Sequence, residues 1–496
     1  MLNLKSNNLP LLAERQNIFN RSAVLTYLLI FESAFLVIAL LTNQIVWIFT
    51  AGILGVPILL FLLPVEPIVG LTVMVLTTGL DFIGRVSSEG EVGGFNLTYF
   101  HLAFVITIIS MILHNMYQGK LAIPQFSLWV PLITFNVMLA VGVIWAPDFE
   151  SAIFSVVRTV FMGLLTLTVV MVINKKWHLS LVFWAFVAVT SAVSVLTVYQ
   201  LVNEGSIFAP VVNQIAMDLG MPVYRATGTF ANPNILASFL MTGLVLSFAR
   251  VFQKKLTMIE KVFLITCIVI TTVGILLSFS RSAWLSCMAG LGLILVYHKK
   301  WSYIWYSLIL LMIIFFVLLI TKPIIIEATF GRFLSIFTPS EDTSSSARFC
   351  LIRSSIWMWQ DSPLIGQGTD SFRALSGEYQ DPQMPMHLKG LIQAHTWPAK
   401  IIAENGLIGV IISMWLLMTI EFHGFRHMYL FRDDFLKNMM IGCFALFNAY
   451  MVMFLFNMDQ YNNSWWITLG LIYIIPMIDK MKQEPNIPAV SHVDDS

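Results

Sequence analysis

From position 22 to position 478 the chain is a succession of apolar stretches separated by short polar connections. A predominantly apolar stretch of about 20 residues crosses a bilayer as a helix, because within the hydrocarbon only helices and closed barrels satisfy every backbone N–H and C=O. The expected spans are 22–42, 45–63, 66–80, 97–114, 128–146, 154–173, 179–202, 233–252, 260–279, 282–298, 302–320, 402–421, 437–457 and 463–478. The third is short, and the pair flanking 278–282 also reads as one broken helix. The expected fold is therefore all-α, a polytopic integral membrane protein with about 12–14 transmembrane helices. Only 11% of residues are charged and 58% are hydrophobic, against about 25% charged in a soluble domain, so a soluble globular fold is excluded.

Basic residues in short connections favour the cytoplasm. With the N-terminus inside, the cytoplasmic connections hold Lys120, Lys175, Lys176, Arg250, Lys254, Lys255, Lys261, Lys299, Lys300, Arg426, Arg432, Lys437, Lys480 and Lys482. The alternate connections 81–96, 147–151 and 457–464 carry acids or amides and the single Arg85. This pattern predicts a cytoplasmic segment over 1–21, transmembrane helices over 22–320, a large extracytoplasmic loop over 321–400, further spans over 401–479 and a cytoplasmic tail over 480–496. The polar start, with Lys5, Arg15 and Arg21, leads into an apolar run without a small-residue cleavage site, which reads as a retained first span. A net charge of +1 gives no global reason to expect nucleic acid. Cys267, Cys287, Cys350 and Cys443 form no CxxC pair and no HExxH occurs, so no metal or disulfide framework is expected.

The loop 321–400 is the one long polar interval, with Arg332, Arg348, Arg353, Arg373 and the histidines His387 and His395. Arg225, Arg281 and Arg348 break the charge rule by falling on the outer side. Each alone reads equally as a side chain snorkelling to the headgroups, but three on one side as a polar loop point to a shared anion. Asn232-Pro233-Asn234 is a helix start; with Gly228 and Arg225 nearby, its free N–H groups and a guanidinium also suit a phosphate. The glycine-bearing turn in 361–372 is no P-loop, since no Gly-Lys-Ser/Thr follows, and reads as a structural turn. His395, nine residues before Glu404, meets the membrane opposite the arginines, where a neutral imidazole suits proton acceptance from a sugar hydroxyl.

Arg225 to Asn234, Arg281 in its serine-rich turn, Arg348 ahead of Pro363-Leu364-Ile365-Gly366-Gln367-Gly368, and His395 with Glu404-Asn405-Gly406-Leu407-Ile408-Gly409 together resemble the bacterial O-antigen ligase and polysaccharide polymerase superfamily. The resemblance covers roughly 220–420 and rests on the order and spacing of loose motifs. It implies a glycosyltransferase of the bacterial cytoplasmic (inner) membrane with an extracytoplasmic active face. Such an enzyme moves a glycan from an undecaprenyl diphosphate carrier to a lipid or glycan acceptor hydroxyl, with neither cofactor nor metal. It also implies that Arg225, Arg281 and Arg348 bind the diphosphate and that His395 acts as general base or orients the acceptor. Glu404, grouped with His395 as catalytic, would fix the histidine or a loop helix. Two features depart from the family: many members have Asn where Thr396 stands, and the expected span number exceeds the dozen or so common in ligases.

Two other classes compete. A transporter of a small anion or lipid-linked sugar would place ionisable groups at mid-membrane and show related halves or broken helices; Glu32, Arg158 and Glu404 are the main charged residues in the expected spans, all near the ends. A structural subunit of an export complex would leave the outer arginines without a common role.

Overall fold

The computed structural model describes residues 66–80, 98–117, 127–202, 214–216, 223–230, 232–300, 302, 312, 343–384, 393–457 and 461–483. The expected spans 22–42 and 45–63, nearly all of 302–320, Glu32, Lys120, Arg332, His387 and the tail beyond Gln483 lie outside them.

The described residues form thirteen α-helices. They are α1 (Pro67–Thr77), α2 (Tyr99–Tyr117), α3 (Trp129–Gly142, prolonged by the 3-10 turn Val143–Trp145), α4 (Phe149–Val172), α5 (Lys176–Val202), α6 (Pro233–Val251), α7 (Met258–Leu277), α8 (Arg281–His298), α9 (Thr343–Asp361), α10 (Ser371–Leu375), α11 (Trp397–His427), α12 (Asp434–Phe454) and α13 (Asn463–Gln483). One short antiparallel ribbon pairs β1 (Gln214–Ala216) with β2 (Val223–Arg225), Gln214 opposite Arg225. Seven of the helices, α2, α4, α5, α6, α7, α11 and α12, are long and apolar enough to cross a membrane. The protein is an all-α, multi-pass membrane protein.

Helix starts carry their own signals. Asp148 accepts from Ser151 N, Thr257 and Glu260 form a capping box, Asp433 accepts from Phe435 N and Leu436 N, and Pro233 follows the capping Asn232. Each satisfies amides that a helix leaves open at its first turn. Close packing uses small residues, because helices in lipid gain contact rather than water release from association. A Cβ on Gly243 of α6 would sit 1.9 Å from Thr190 of α5, and one on Gly470 of α13 would sit 2.7 Å from Val169 of α4.

The basic connections share one end of the bundle. Lys176 pairs with Asp433 at 2.8 Å, Lys254 N donates to Asp434 at 2.6 Å, and the Tyr297 hydroxyl donates to the Met428 carbonyl at 2.7 Å. Arg250 does not lie in a connection. It closes α6, buried between the rings of Phe183 and Phe435 at 5.3 and 4.2 Å. The opposite end gathers the starts of α6, α8, α11 and α13 and the finishes of α7 and α12, and every proposed site residue lies there or just beyond it.

Candidate functional site

Arg225 ends β2 and is built into the heads of two membrane helices. Its Nε donates to the Ser278 carbonyl at 3.0 Å, where α7 turns into α8, and its Nη2 donates to Asn234 Oδ1 at 2.9 Å, at the head of α6. The backbone follows the side chain, since Ala226 N donates to the Leu277 carbonyl at 3.2 Å. Ala226, Leu277 and Phe279 then pack into one small apolar cluster. Downstream, Gly228 takes φ 59°, and the Gln200 amide brackets it, accepting from Gly228 N at 2.9 Å and donating to Gly228 O at 2.8 Å. A phosphate does not find the first turn of α6 wholly open, because Asn232 Oδ1 already accepts from Asn234 N at 2.8 Å. Arg281 opens α8 three residues past Ser278, after Phe279 in the left-handed region at φ 51°. A bulky residue there is backbone strain that its surroundings must impose. The guanidinium of Arg225 and the start of Arg281's helix are thus held to one turn.

Arg348 and His395 form the second pairing. Arg348 lies on α9, half-buried. The face that α9 buries is Ala347, Cys350, Leu351, Ser354, Ser355 and Met358, while Phe349 and Ile356 are exposed. The stretch drawn through Ile352, Ile356, Trp357 and Trp359 is therefore not the face that α9 buries. Arg353, one turn on, is committed to the loop, pairing with Asp381 at 2.7 Å and donating to Gln383 at 2.8 Å. His395 stands just ahead of α11 with φ 54°, a second non-glycine residue in the left-handed region. Burial first, and the charge of Arg348 second, pull its imidazole down to about 4, so it is neutral at physiological pH.

Glu404 sits elsewhere. Its carboxylate accepts from Asp370 N at 3.1 Å and Phe372 N at 3.3 Å, pinning the start of α10. Lys400, 7% exposed, lies 2.8 Å from Asp370 Oδ1 and 3.8 Å from Glu404 Oε2. Among the described contacts Glu404 touches this loop helix and not the histidine. The two glycine motifs interlock beside it. α11 breaks at Gly406, φ 59° and ψ −156°, and the turn after α9 enters the break. Gln367 N donates to Ala403 O at 3.0 Å and Gly368 N to Glu404 O at 2.9 Å, while Leu407 N and Ile408 N donate to Pro363 O and Leu364 O at 2.9 and 3.1 Å. A broken helix at membrane depth needs such replacement partners. No side chain fits the junction: a Cβ on Gly366 would lie 2.3 Å from the Glu404 carbonyl carbon.

Contacts at the same end of the bundle link the two pairings. Asn457, after α12, donates to Ser282 Oγ of α8 at 2.9 Å, and Phe454 of α12 meets the Trp397 ring of α11 with centroids 6.0 Å apart. The start of α8, which Arg281 opens, and the start of α11, which His395 precedes, thus both meet the end of α12. Sequence reasoning read Asn234 only as part of a helix start and missed Lys400, Asp370 and Asn457. Lys400 had a visible signal, its i,i+4 spacing to Glu404 inside an apolar run; the partners of the other three lie 9, 30 and 175 residues away.

The fold and these contacts define the class as a multi-pass helical membrane protein, with guanidinium groups and a neutral imidazole at one end of its bundle beside a broken helix. Residues 266–414 match the O-antigen ligase family model (Wzy_C). The match includes Arg281, Arg348, His395 and Glu404 and stops short of Arg225. No curated protein matches the chain in sequence.

Proposed function

We propose that this protein transfers a glycan from an undecaprenyl diphosphate carrier to an acceptor hydroxyl in surface polysaccharide synthesis, at the extracytoplasmic face of the bacterial cytoplasmic membrane. The observation that carries the reading is the neutral His395 within electrostatic reach of Arg348, at the bundle end that also holds Arg225 and Arg281. His395 takes the proton of the acceptor hydroxyl as its oxygen attacks the anomeric carbon. The bond from that carbon to the diphosphate oxygen breaks, the oxygen leaves with the electron pair, and the arginines stabilise the growing charge. Guanidinium suits this work because its planar fork matches phosphate oxygens bidentately. The donor also prepares the base: a diphosphate beside Arg348 offsets the positive charge that depresses His395, raising the imidazole toward the range where it accepts a proton at neutral pH. Glu404 serves as a positioning residue, holding the loop that carries Asp370 and Phe372 against α11.

Reconstitution in proteoliposomes with an undecaprenyl diphosphate-linked glycan tests the reading. Transfer to an acceptor with release of undecaprenyl diphosphate is expected, a ladder of lengths marking a polymerase and a single adduct a ligase. Donor that remains intact with every acceptor offered, while wild-type protein is folded, overturns it.

A further inference from the structure

An apolar groove of about 310 Å³ runs between α11 and α12, from Trp397 and Pro398 at the site end down to Glu421. Its walls include Ile401, Met414 and Leu417 of α11 and Met451 and Phe454 of α12. The break at Gly406 lies between wall residues Ile401 and Val410, so α11 lines the groove on both sides of its kink. Two polar residues also line it: Ser413, and Glu421, whose carboxylate accepts from Asn448 at 3.3 Å near the deep end.

Inside a bilayer such a groove takes a hydrocarbon chain, and the lipid is selected by what its headgroup meets at the mouth. The mouth here begins two residues after His395, the imidazole that feels the charge of Arg348. We infer that the α11–α12 groove seats the part of the donor's polyprenyl chain nearest its diphosphate; the inference rests on the function proposed above. The groove has room for the first part of a polyprenyl chain. Methionines at 414, 418 and 451 suit a branched chain, because their unbranched, polarisable side chains adapt to irregular shapes. Moving a chain from lipid into this groove releases no water, so the gain is position rather than bulk affinity. The groove sets the depth and direction from which the diphosphate meets the arginines.

The test uses the full chain in nanodiscs and a polyprenyl diphosphate bearing a diazirine in its first isoprene units, with a phosphatidylglycerol bearing an acyl-chain diazirine as comparator. Peptide mapping is expected to place the polyprenyl label on 410–418 or 447–455. Excess unlabelled polyprenyl diphosphate should reduce that label about tenfold or more, Met451→Trp should do the same, and Met451→Leu should retain it. Labelling by the acyl probe that excess polyprenyl diphosphate does not displace, at the same peptides and intensity, means a general lipid groove and overturns the inference. Competable polyprenyl labelling confined to other peptides overturns the groove while leaving the function standing. Absence of any competable labelling removes both.

Discussion

The buried ammonium of Lys400 offers the sharpest test of how the site is held. It lies 2.8 Å from Asp370 Oδ1 and 3.8 Å from Glu404 Oε2, and both Lys400 and Glu404 are nearly inaccessible. At an effective dielectric constant of about 20 these attractions are roughly 6 and 4 kcal/mol, before the cost of removing the charges from water is counted. Desolvation cancels most of that gain while the triad is intact, and becomes visible when one member is removed. Lys400→Met leaves two carboxyl groups facing each other around a low-dielectric pocket, for which about 3–5 kcal/mol of destabilisation is expected. Adding Glu404→Gln removes one of those charges while keeping an acceptor oxygen for the Asp370 or Phe372 amide, so the double variant should recover more than half of the loss. The assay is unfolding in mixed micelles titrated with SDS, followed by helical circular dichroism. A loss for Lys400→Met of less than about 1 kcal/mol, the worth of an exposed ion pair, would refute the reasoning, as would a double variant no more stable than the single one.

His395→Ala should abolish glycan transfer while the protein inserts and folds, measured as surface polysaccharide in cells and product in proteoliposomes; normal polymer in that variant removes the base assignment. Arg225→Lys and Arg281→Lys should each reduce transfer by about tenfold or more, because an ammonium offers no planar fork, and the Arg225 change should also loosen the Ser278 and Asn234 contacts. The depressed imidazole of His395 has a stability signature: the unfolded chain binds a proton near pH 6.5 that the folded chain refuses until about pH 4. Stability should therefore fall as pH drops through that window, and His395→Gln should make the fall shallower; identical pH profiles would show that the imidazole is not buried as described. Gly406→Ala should cost at least about 1–2 kcal/mol from the left-handed backbone alone and more from its approach to 2.6 Å of the Leu364 carbonyl, read by the same unfolding assay.

Which face α9 buries was not legible from hydropathy, because Phe349 and Ile356 are exposed while Leu351 and Met358 pack inward with Ala347, Cys350 and Ser354. Periodicity reports which residues avoid water, and at a membrane surface more than one side of a helix does so. The start of α6 was legible from Asn232-Pro233, because capping is chemistry between residues two or three apart, whereas α4, α7 and α12 begin at 149, 258 and 434, ahead of the 154, 260 and 437 expected from hydropathy. Arg250 was misplaced by a single turn, since charge alone does not reveal that Phe183 and Phe435 supply its surroundings.

By itself, the order of apolar runs and basic connections determined that this chain is a bundle of membrane helices, since bilayer thickness and backbone hydrogen bonding leave no other solution. It also singled out Arg225, Arg281 and Arg348 as basic residues on the outer side and His395 where the polar loop meets a span. Only the tertiary structure decided that Arg225 is anchored on Ser278 and Asn234, that Arg348 acts on His395, and that Glu404 pins a loop helix through two backbone amides. The same holds for the glycine motifs around 366 and 406, which are two halves of one junction. The physical reason is distance along the chain: capping and hydropathy act within a few residues, whereas these contacts join residues 9 to 53 positions apart, whose meeting depends on how the helices pack.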